Sequence, residues 1–213
     1  PVRASLRLLG RPRGRLHRLP PCWLAAAARP ADARPVHSDA VELIRCRNGL
    51  ATTAELLTVM TRQQLDGQVR KGGLVRIWRG VYSSTEPDLL TQLRALDLLI
   101  GEHAVACMNT AADLYGFGLE SSNSVHVLDP GFRLRSTAGL VVHQRKGAPL
   151  QLISSRRATS PAWTAVEMAR VVRRPRALAV LDAALQSGWS SPADLAEAVE
   201  NQRGRRGIVK VRN

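Results

Sequence analysis

The chain has 213 residues, of which 45% are hydrophobic, 23% charged and 4% aromatic, a composition typical of one or two folded domains. Lys and Arg total 31 against 17 Asp and Glu, a formal net charge of +14 that favours a polyanionic partner. No apolar run approaches the roughly 18 residues of a membrane-spanning helix. Cys22, Cys46 and Cys107 lack the spacing of a zinc knuckle or a disulfide framework. We therefore expect a cytoplasmic protein with reduced thiols and no membrane partner.

Residues 1–37 form a basic segment without helical or strand periodicity. They hold eight arginines and one acid, Asp32, a net +7 that is half of the total charge. This composition predicts a disordered arm. The apolar stretch 23–28 is flanked by prolines and is too short for a secretory signal. Because the chain begins with Pro1 rather than Met, the arm is also a candidate for non-native sequence.

Two short helices are predicted directly after the arm. Ser38 is the predicted N-cap of the first, which ends at Asn48-Gly49. Thr52 or Thr53 is the predicted N-cap of the second. If Thr52 is the cap, Glu55 lies three residues later and completes a capping box, in which the two residues bond each other's backbone N–H groups.

A third helix and a β-hairpin complete this part of the chain. Thr61 begins a helix that runs to Lys71, and the apolar stretches 74–78 and 81–82 flank a tight turn at Arg79-Gly80. Three helices followed by a hairpin predict a winged helix-turn-helix over residues 38–86. In that fold the helix from Thr61 enters the major groove of DNA and the hairpin is the wing.

Residues 87–203 predict a second, mixed α/β domain. The predicted helix starts in this region are Asp88, Ser160, Pro175 and Ser191. One small helix, Thr110–Tyr115, is predicted between these helix starts. The strand-like runs in the same region are Ala104–Cys107, Val125–Leu128 and Leu140–His143. Residues 204–213 are interpreted as a truncated tail that ends in a strand-like run, Ile208–Val211. The predicted fold class is α/β (α+β), with an N-terminal winged helix-turn-helix followed by a mixed α/β domain.

The third helix and the hairpin carry the candidate DNA-binding side chains. If Leu65 and Val69 are buried, the opposite face of the helix is polar. The candidates are Arg62, Gln63, Gln64, Gln68, Arg70 and Lys71 on the helix, and Arg76 and Arg79 on the hairpin. Gln pairs with adenine and Arg or Lys with guanine, while wing arginines reach phosphates or the minor groove. The alternative interpretation is an ordinary solvated helix face.

No catalytic pattern is present. The sequence lacks the Gly-Ser turn and paired aspartates of nucleotidyltransferases, the acid and Glu-x-Lys pattern of metal-dependent nucleases, a P-loop and a Gly-x-Ser-x-Gly motif. His126 and His143 are expected to be packed or surface histidines. Asp113, Asp129 and Glu167 are expected to be helix caps or surface charges. We therefore expect no enzyme, no cofactor and no metal site.

Several segments together resemble the AbiEi antitoxins of type IV toxin–antitoxin systems. The segments that carry the resemblance are Gly49–Leu56, Thr61–Leu65, Gly73–Tyr82, Asn109–Gly116 and Ala158–Arg170. The resemblance covers about residues 40–210. It implies a winged-helix domain that binds DNA, joined to an α/β antitoxin domain. Members of that family repress their own operon, and some of them counteract a nucleotidyltransferase toxin.

Two departures from the family follow from the same comparison. Glu167 stands where the family has Asp. Many relatives also carry, after a basic turn like Arg203–Gly207, a domain resembling very-short-patch-repair-type endonucleases, and this chain stops where that domain would start. The missing C-terminal domain suggests the interpretation that the protein is truncated.

Three functional hypotheses remain at this stage. The first is an antitoxin-like transcriptional autoregulator that binds double-stranded DNA at its own operator, with a nucleotidyltransferase-type toxin as a direct or indirect partner and a homodimer as one expected state. The second is the DNA-targeting remnant of a truncated endonuclease-like protein. The third is a toxin-neutralising interaction domain in which the winged helix serves only for packing.

Overall fold

The computed structural model describes residues 36–118, 123–131 and 134–212. The helices are α1 Val36–Cys46, α2 Thr53–Leu56, α3 Arg62–Arg70, α4 Leu89–Ile100, α5 Met108–Tyr115, α6 Pro161–Val171, α7 Arg174–Gln186, α8 Pro192–Asn201 and α9 Ile208–Arg212. The strands are β1 Ala51–Thr52, β2 Val75–Trp78, β3 Val81–Ser83, β4 Val125–Leu128, β5 Leu140–His143, β6 Leu150–Ile153 and β7 Arg156–Thr159. The α/β class is confirmed. Among the described residues, no helix is both long and apolar enough to span a membrane.

The first part of the fold packs α1, α2 and α3 against a small antiparallel sheet. The sheet has the order β1-β3-β2, with Tyr82 opposite both Ala51 and Arg76. Ile44, Leu56 and Leu65 are fully buried, one from each of the three helices. They share a cluster with Tyr82, so the helices and the sheet have a common core.

Local capping rules determine where α2 and α3 begin and where α3 ends. Thr52 is the N-cap of α2 and forms the predicted capping box with Glu55. Thr61 is the confirmed N-cap of α3. After α3, Gly72 has a φ of +74°, and the N–H of the next residue, Gly73, bonds the Gln68 carbonyl at 2.9 Å. This is the Schellman ending that a left-handed glycine permits.

The second part is built on two ladders joined by one residue. β4 pairs with β5 in parallel and β6 with β7 in antiparallel. Ala106 bridges Val127 on one side and Ala158 on the other, so the ladders form a continuous surface. Leu93 and Leu96 of α4 share one cluster with Val127. Ala106 and Ala158 belong to a different cluster, which residues of α5, α6 and α7 complete.

Trp78 links the hairpin to the second part. Its indole Nε1 donates to the Gln92 carbonyl of α4 at 2.9 Å. Its ring also packs on the cluster of Leu93 and Leu96. Val81 of the hairpin and Ala95 of α4 are both fully buried in a shared cluster. The hairpin is therefore held against α4 rather than projecting freely.

Several sequence predictions are corrected by the structure. α1 begins at Val36, so Ser38 lies inside the helix and is not its N-cap. Ala104–Cys107 forms isolated bridges at Ala106 instead of a strand. The predicted strand-like run Ile208–Val211 is the helix α9, because Ile208 is buried in a cluster with Val166 and Ala198 of α6 and α8. The predictions for residues 1–35 lie outside the described residues.

The β6–β7 hairpin was not predicted. Its two-residue turn, Ser154-Ser155, has φ values of +48° and +62°. Turns with two left-handed residues are usually signalled by Asn or Gly, and Ser-Ser carries no such signal. The hairpin is visible only in the folded chain.

Candidate nucleic-acid interface

α3 turns its polar face outward, as predicted. Leu65 is fully buried and Val69 packs on the same cluster. At about 100° per residue, Gly67 lies roughly opposite the midpoint of these two side chains. Gln63 and Lys71 lie about 40° to either side of Gly67, and both are exposed. The outward face of α3 is thus centred on Gly67.

Gly67 is open to the exterior. A Cβ built at this position would meet no atom within 4 Å, and its φ is not in the left-handed region. Neither packing against a neighbouring helix nor backbone conformation therefore requires glycine here. The missing side chain leaves the backbone of α3 accessible at the centre of its polar face.

The other helix candidates differ in their surroundings. Gln64 is exposed, and its Oε1 accepts the Thr61 N–H at 2.8 Å in a second capping box. Gln68 is only half-exposed and lies nearer the core side of the helix. Arg62 and Arg70 are exposed. The sequence signal Thr-x-x-Gln at 61–64 would have revealed the structural role of Gln64.

Both hairpin candidates are exposed beside the anchored Trp78. Arg79 is the first residue of the β2–β3 turn, and Arg76 lies on β2. Gly80 follows with a φ of +90°, and its carbonyl accepts the Thr53 N–H at 2.8 Å. The turn is therefore fastened to the start of α2.

The cations of α3 and of the β2–β3 hairpin form no ion pairs among the described residues. No described carboxylate pairs with any of the five cations, which are Arg62, Arg70, Lys71, Arg76 and Arg79. Arg70 Nε bonds the Asp66 carbonyl at 3.4 Å. Asp66 is also exposed and is an acid on the same helix, which sequence reasoning had overlooked. We call α3 together with Arg76 and Arg79 the α3–hairpin surface.

His126 and His143 meet on the parallel strands. Their Nδ1 and Nε2 atoms, respectively, lie 2.9 Å apart, and the rings stack at 5.2 Å. Burial lowers the pKa of His126; burial and the neighbouring His126 and Arg145 lower the pKa of His143 against an opposing effect of Glu167. In the described part of the chain, no three potential metal ligands cluster.

Glu167 is not a cap or a surface charge. It is fully buried on α6, and its Oε1 accepts from Arg145 Nε and from Arg170 Nη2, the latter at 3.3 Å. Arg170 in turn donates to the Gln202 side chain at 3.1 Å and to the Arg206 carbonyl at 2.8 Å. The network ties the loop after β5 and the segment after α8 to α6. The prediction for Glu167 was wrong because its burial and its contact with Arg145, 22 positions away in sequence, arise only in the tertiary fold.

Cys107 adjoins this network without reactive character. The thiol is fully buried, and burial raises its pKa, so it remains protonated at neutral pH. It precedes Met108, the first residue of α5, which has a φ of +51°. The buried polar groups of this region are arranged for packing and charge pairing.

Comparisons with known proteins agree with the resemblance. The family model of the AbiEi antitoxin C-terminal domain matches residues 104–213, just over half of the chain. Uncharacterized proteins from two strains of Mycobacterium tuberculosis are each 63% identical over 153 residues, which is 72% of this chain. The chain therefore spans about half of those relatives, since the matched region is 56% of their length. The matched domain includes β4 to β7, the buried Glu167 network and α9, and the chain belongs to the AbiEi antitoxin family of toxin–antitoxin systems.

Proposed function

We propose that residues 38–86 are a winged helix-turn-helix that binds double-stranded DNA, and that the protein represses its own operon as the antitoxin of a type IV system. α3 is the recognition helix in this proposal, and the β2–β3 hairpin is the wing. The element order and the β1-β3-β2 pairing support the assignment. Residues 87–203 form the antitoxin domain.

The observation that carries the proposal is the outward face of α3. Gln63 and Lys71 are exposed on either side of Gly67, where an added Cβ meets nothing within 4 Å. A helix entering the major groove needs polar side chains that reach base edges and a backbone that can approach the duplex. Arg76 and Arg79 add exposed positive charge on the adjacent hairpin.

The toxin relationship follows from the family. A nucleotidyltransferase-type toxin is the proposed partner, restrained through repression or through direct contact. A homodimer would place two copies of α3 on two half-sites of one operator, about one helical turn of DNA apart. A regulatory role of this kind requires no catalytic residues.

Binding to the DNA upstream of the coding sequence tests the proposal. We expect Gln63→Ala to weaken binding to that duplex by roughly 5- to 150-fold, since a good base contact is worth about 1–3 kcal/mol. Binding to a scrambled duplex should change little. Gln186→Ala, at an exposed glutamine of α7, is the matched control. Fluorescence anisotropy at fixed salt measures each affinity.

Gln64 requires a different substitution because it caps α3. Gln64→Glu keeps the acceptor for the Thr61 N–H, just as Glu55 serves Thr52 in the same chain. The added negative charge should repel phosphates and lower affinity on every duplex. Equal losses from Gln63→Ala on both sequences would argue against base reading, and unchanged binding by both variants would refute the assignment of α3.

A further inference from the structure

Strand β6 is an open edge in the second part of the fold. The ladders run in the order β5, β4, Ala106, β7 and β6, so β6 has a neighbouring strand on one side only in the described part of the chain. Leu150, Gln151 and Leu152 are all exposed. Leu152, at 68%, is the most exposed large apolar side chain among the described residues.

The two leucines of β6 also have outward-pointing backbone groups. The Ser160 N–H donates to the Pro149 carbonyl at 2.8 Å, so Pro149 directs its backbone toward β7. Successive residues of a strand direct their backbone groups to alternate sides, and Gln151 therefore also points toward β7. Leu150 and Leu152 direct their N–H and C=O groups outward instead. Because Pro149 faces inward, its missing N–H does not block the outer edge.

The usual protections of a strand edge are missing from β6. Exposed edges are normally blunted by charged side chains, prolines, bulges or a covering element. Residues 150–153 carry no charge, and their register with β7 is regular. An exposed apolar edge of this kind favours pairing with another strand.

The sequence of this edge fits a second copy of itself. Leu150-Gln151-Leu152 is symmetric about Gln151, and a two-fold axis pairs identical strands in antiparallel orientation. If Gln151 lies opposite Gln151 of a second copy, then Leu150 of each copy lies opposite Leu152 of the other. Each pair of leucines exchanges backbone hydrogen bonds in both directions, and the two glutamines form the non-hydrogen-bonded pair between them. One register thus satisfies all the outward groups of both strands.

The local charge allows two copies to approach at this edge. The chain has a net charge of +14, so most faces of two copies repel each other. The groove of about 370 Å³ beside Gln151 is lined by Asp194 and Glu197 and by no Lys or Arg. Arg157 is exposed on β7 next to Leu152. In the symmetric pair it lies at least three strand spacings from its counterpart, about 14 Å, which exceeds the roughly 8 Å screening length at physiological salt.

We propose that β6 pairs with β6 of a second copy, antiparallel about Gln151, and that this strand pair is the dimer contact of the protein. The inference rests on the homodimer of the proposed function and names its interface. The contact is small, because stable interfaces use about 20–30 residues a side. Interfaces of standard size have dissociation constants from micromolar to picomolar, so we expect a dimer weaker than about 1 μM.

Cysteine cross-linking tests the register of the strand pair. The Cα atoms of a non-hydrogen-bonded antiparallel pair lie about 4.5 Å apart, within the roughly 4.4–6.8 Å range of disulfides. Gln151→Cys, in a Cys22→Ser/Cys46→Ser background, should therefore form a disulfide-linked dimer with oxidised glutathione, seen on a non-reducing gel. Cys107 is buried and can stay in place.

Leu152→Cys in the same background is the matched control. Leu152 is on the same strand and exposed, but its counterpart lies diagonally across the axis. Diagonal neighbours are about 7–8 Å apart, which is too far for a disulfide. We expect Gln151→Cys to cross-link at least about tenfold faster than this control.

Sedimentation velocity tests the contact without a cross-link and without DNA. The full chain should shift from monomer to dimer between about 1 μM and 1 mM. Leu152→Lys should raise the dissociation constant at least about tenfold, because each dimer loses two apolar contacts and gains two charges. Leu178→Lys, at a 56% exposed leucine of α7, adds the same charge elsewhere and should leave dimerisation nearly unchanged. Circular dichroism and thermal unfolding check that both variants fold.

Three outcomes overturn the inference. They are a monomer across the whole concentration range, equal weakening by Leu152→Lys and Leu178→Lys, and equal cross-linking of Gln151→Cys and Leu152→Cys. Failure of the recognition-helix assignment is distinguishable from these outcomes. If Gln63→Ala leaves sequence preference intact while Gln151→Cys cross-links selectively, α3 is assigned wrongly and the strand contact stands. If the chain stays monomeric while Gln63→Ala abolishes preference, only the strand contact is wrong.

Discussion

The buried carboxylate of Glu167 should be one of the most sensitive positions for stability. Glu167 is fully buried, and its Oε1 holds Arg145 and Arg170, whose side chains are 26% and 8% exposed. Glu167→Ala would leave the Arg170 guanidinium buried without its counter-charge. Breaking a buried pair in this way costs about 3–5 kcal/mol, against a total stability of about 5–15 kcal/mol for a typical domain.

Urea unfolding followed by circular dichroism measures this loss directly. In thermal unfolding the same loss corresponds to a midpoint lower by roughly 6–20 °C for a chain of this size. Glu200→Ala is the matched control, because Glu200 forms an exposed pair with Arg203 at 3.8 Å. Pairs of that kind contribute close to nothing, so the control should unfold like the unmodified chain.

A second variant separates charge from shape. Glu167→Gln keeps the volume and one acceptor while removing the negative charge, so its loss should fall between those of the alanine variant and the unmodified chain. If Glu167→Ala costs less than about 1 kcal/mol, the size of an exposed pair, then the carboxylate does not hold the two arginines, and the account of this network is wrong.

Two further predictions concern the interface and the histidine pair. Gly67→Ala should stabilise α3 by up to about 1 kcal/mol and yet weaken DNA binding, because the new methyl group lies on the face proposed to approach the duplex. Thermal unfolding measures the stability and fluorescence anisotropy measures the affinity of the same sample. A higher stability with unchanged affinity would contradict a close approach of α3 to the duplex. Lowering the pH from 7.5 to 5.5 should reduce the urea midpoint, because His126 and His143 have pKa values lowered by burial and the unfolded chain takes up protons that the fold resists. The folding stability that the two neutral histidines contribute is fully present above the unfolded pKa of about 6.5. It falls as the pH drops below that value. His143→Gln should flatten this dependence, and an equally steep curve would assign it to other groups.

Local rules explain what the sequence predicted well. The starts of α2, α3 and α8 follow from side chains that cap the backbone three residues away, at Thr52, Thr61 and Ser191. The outward face of α3 follows from the spacing of two apolar residues, Leu65 and Val69. Such signals lie within one helical turn and need no tertiary information.

The failures depend on contacts between distant segments. Ile208–Val211 has the composition of a strand and is a helix, because Ile208 is buried among residues of α6 and α8. Arg145 reaches Glu167 across 22 positions of sequence. Gln64 was assigned to DNA alone although it also caps α3. In each of the first two cases burial, which no local pattern reports, decides the outcome.

The anchoring of Trp78 has a consequence for the affinity of the proposed DNA contact. A mobile wing must lose conformational freedom when it meets DNA, and that loss subtracts from affinity. Here the indole bond to the Gln92 carbonyl and the bond from Thr53 to Gly80 immobilise both ends of the turn during folding. Arg79 is therefore presented on a rigid frame, so that in the proposed complex its encounter with a duplex would resemble the docking of two preformed bodies.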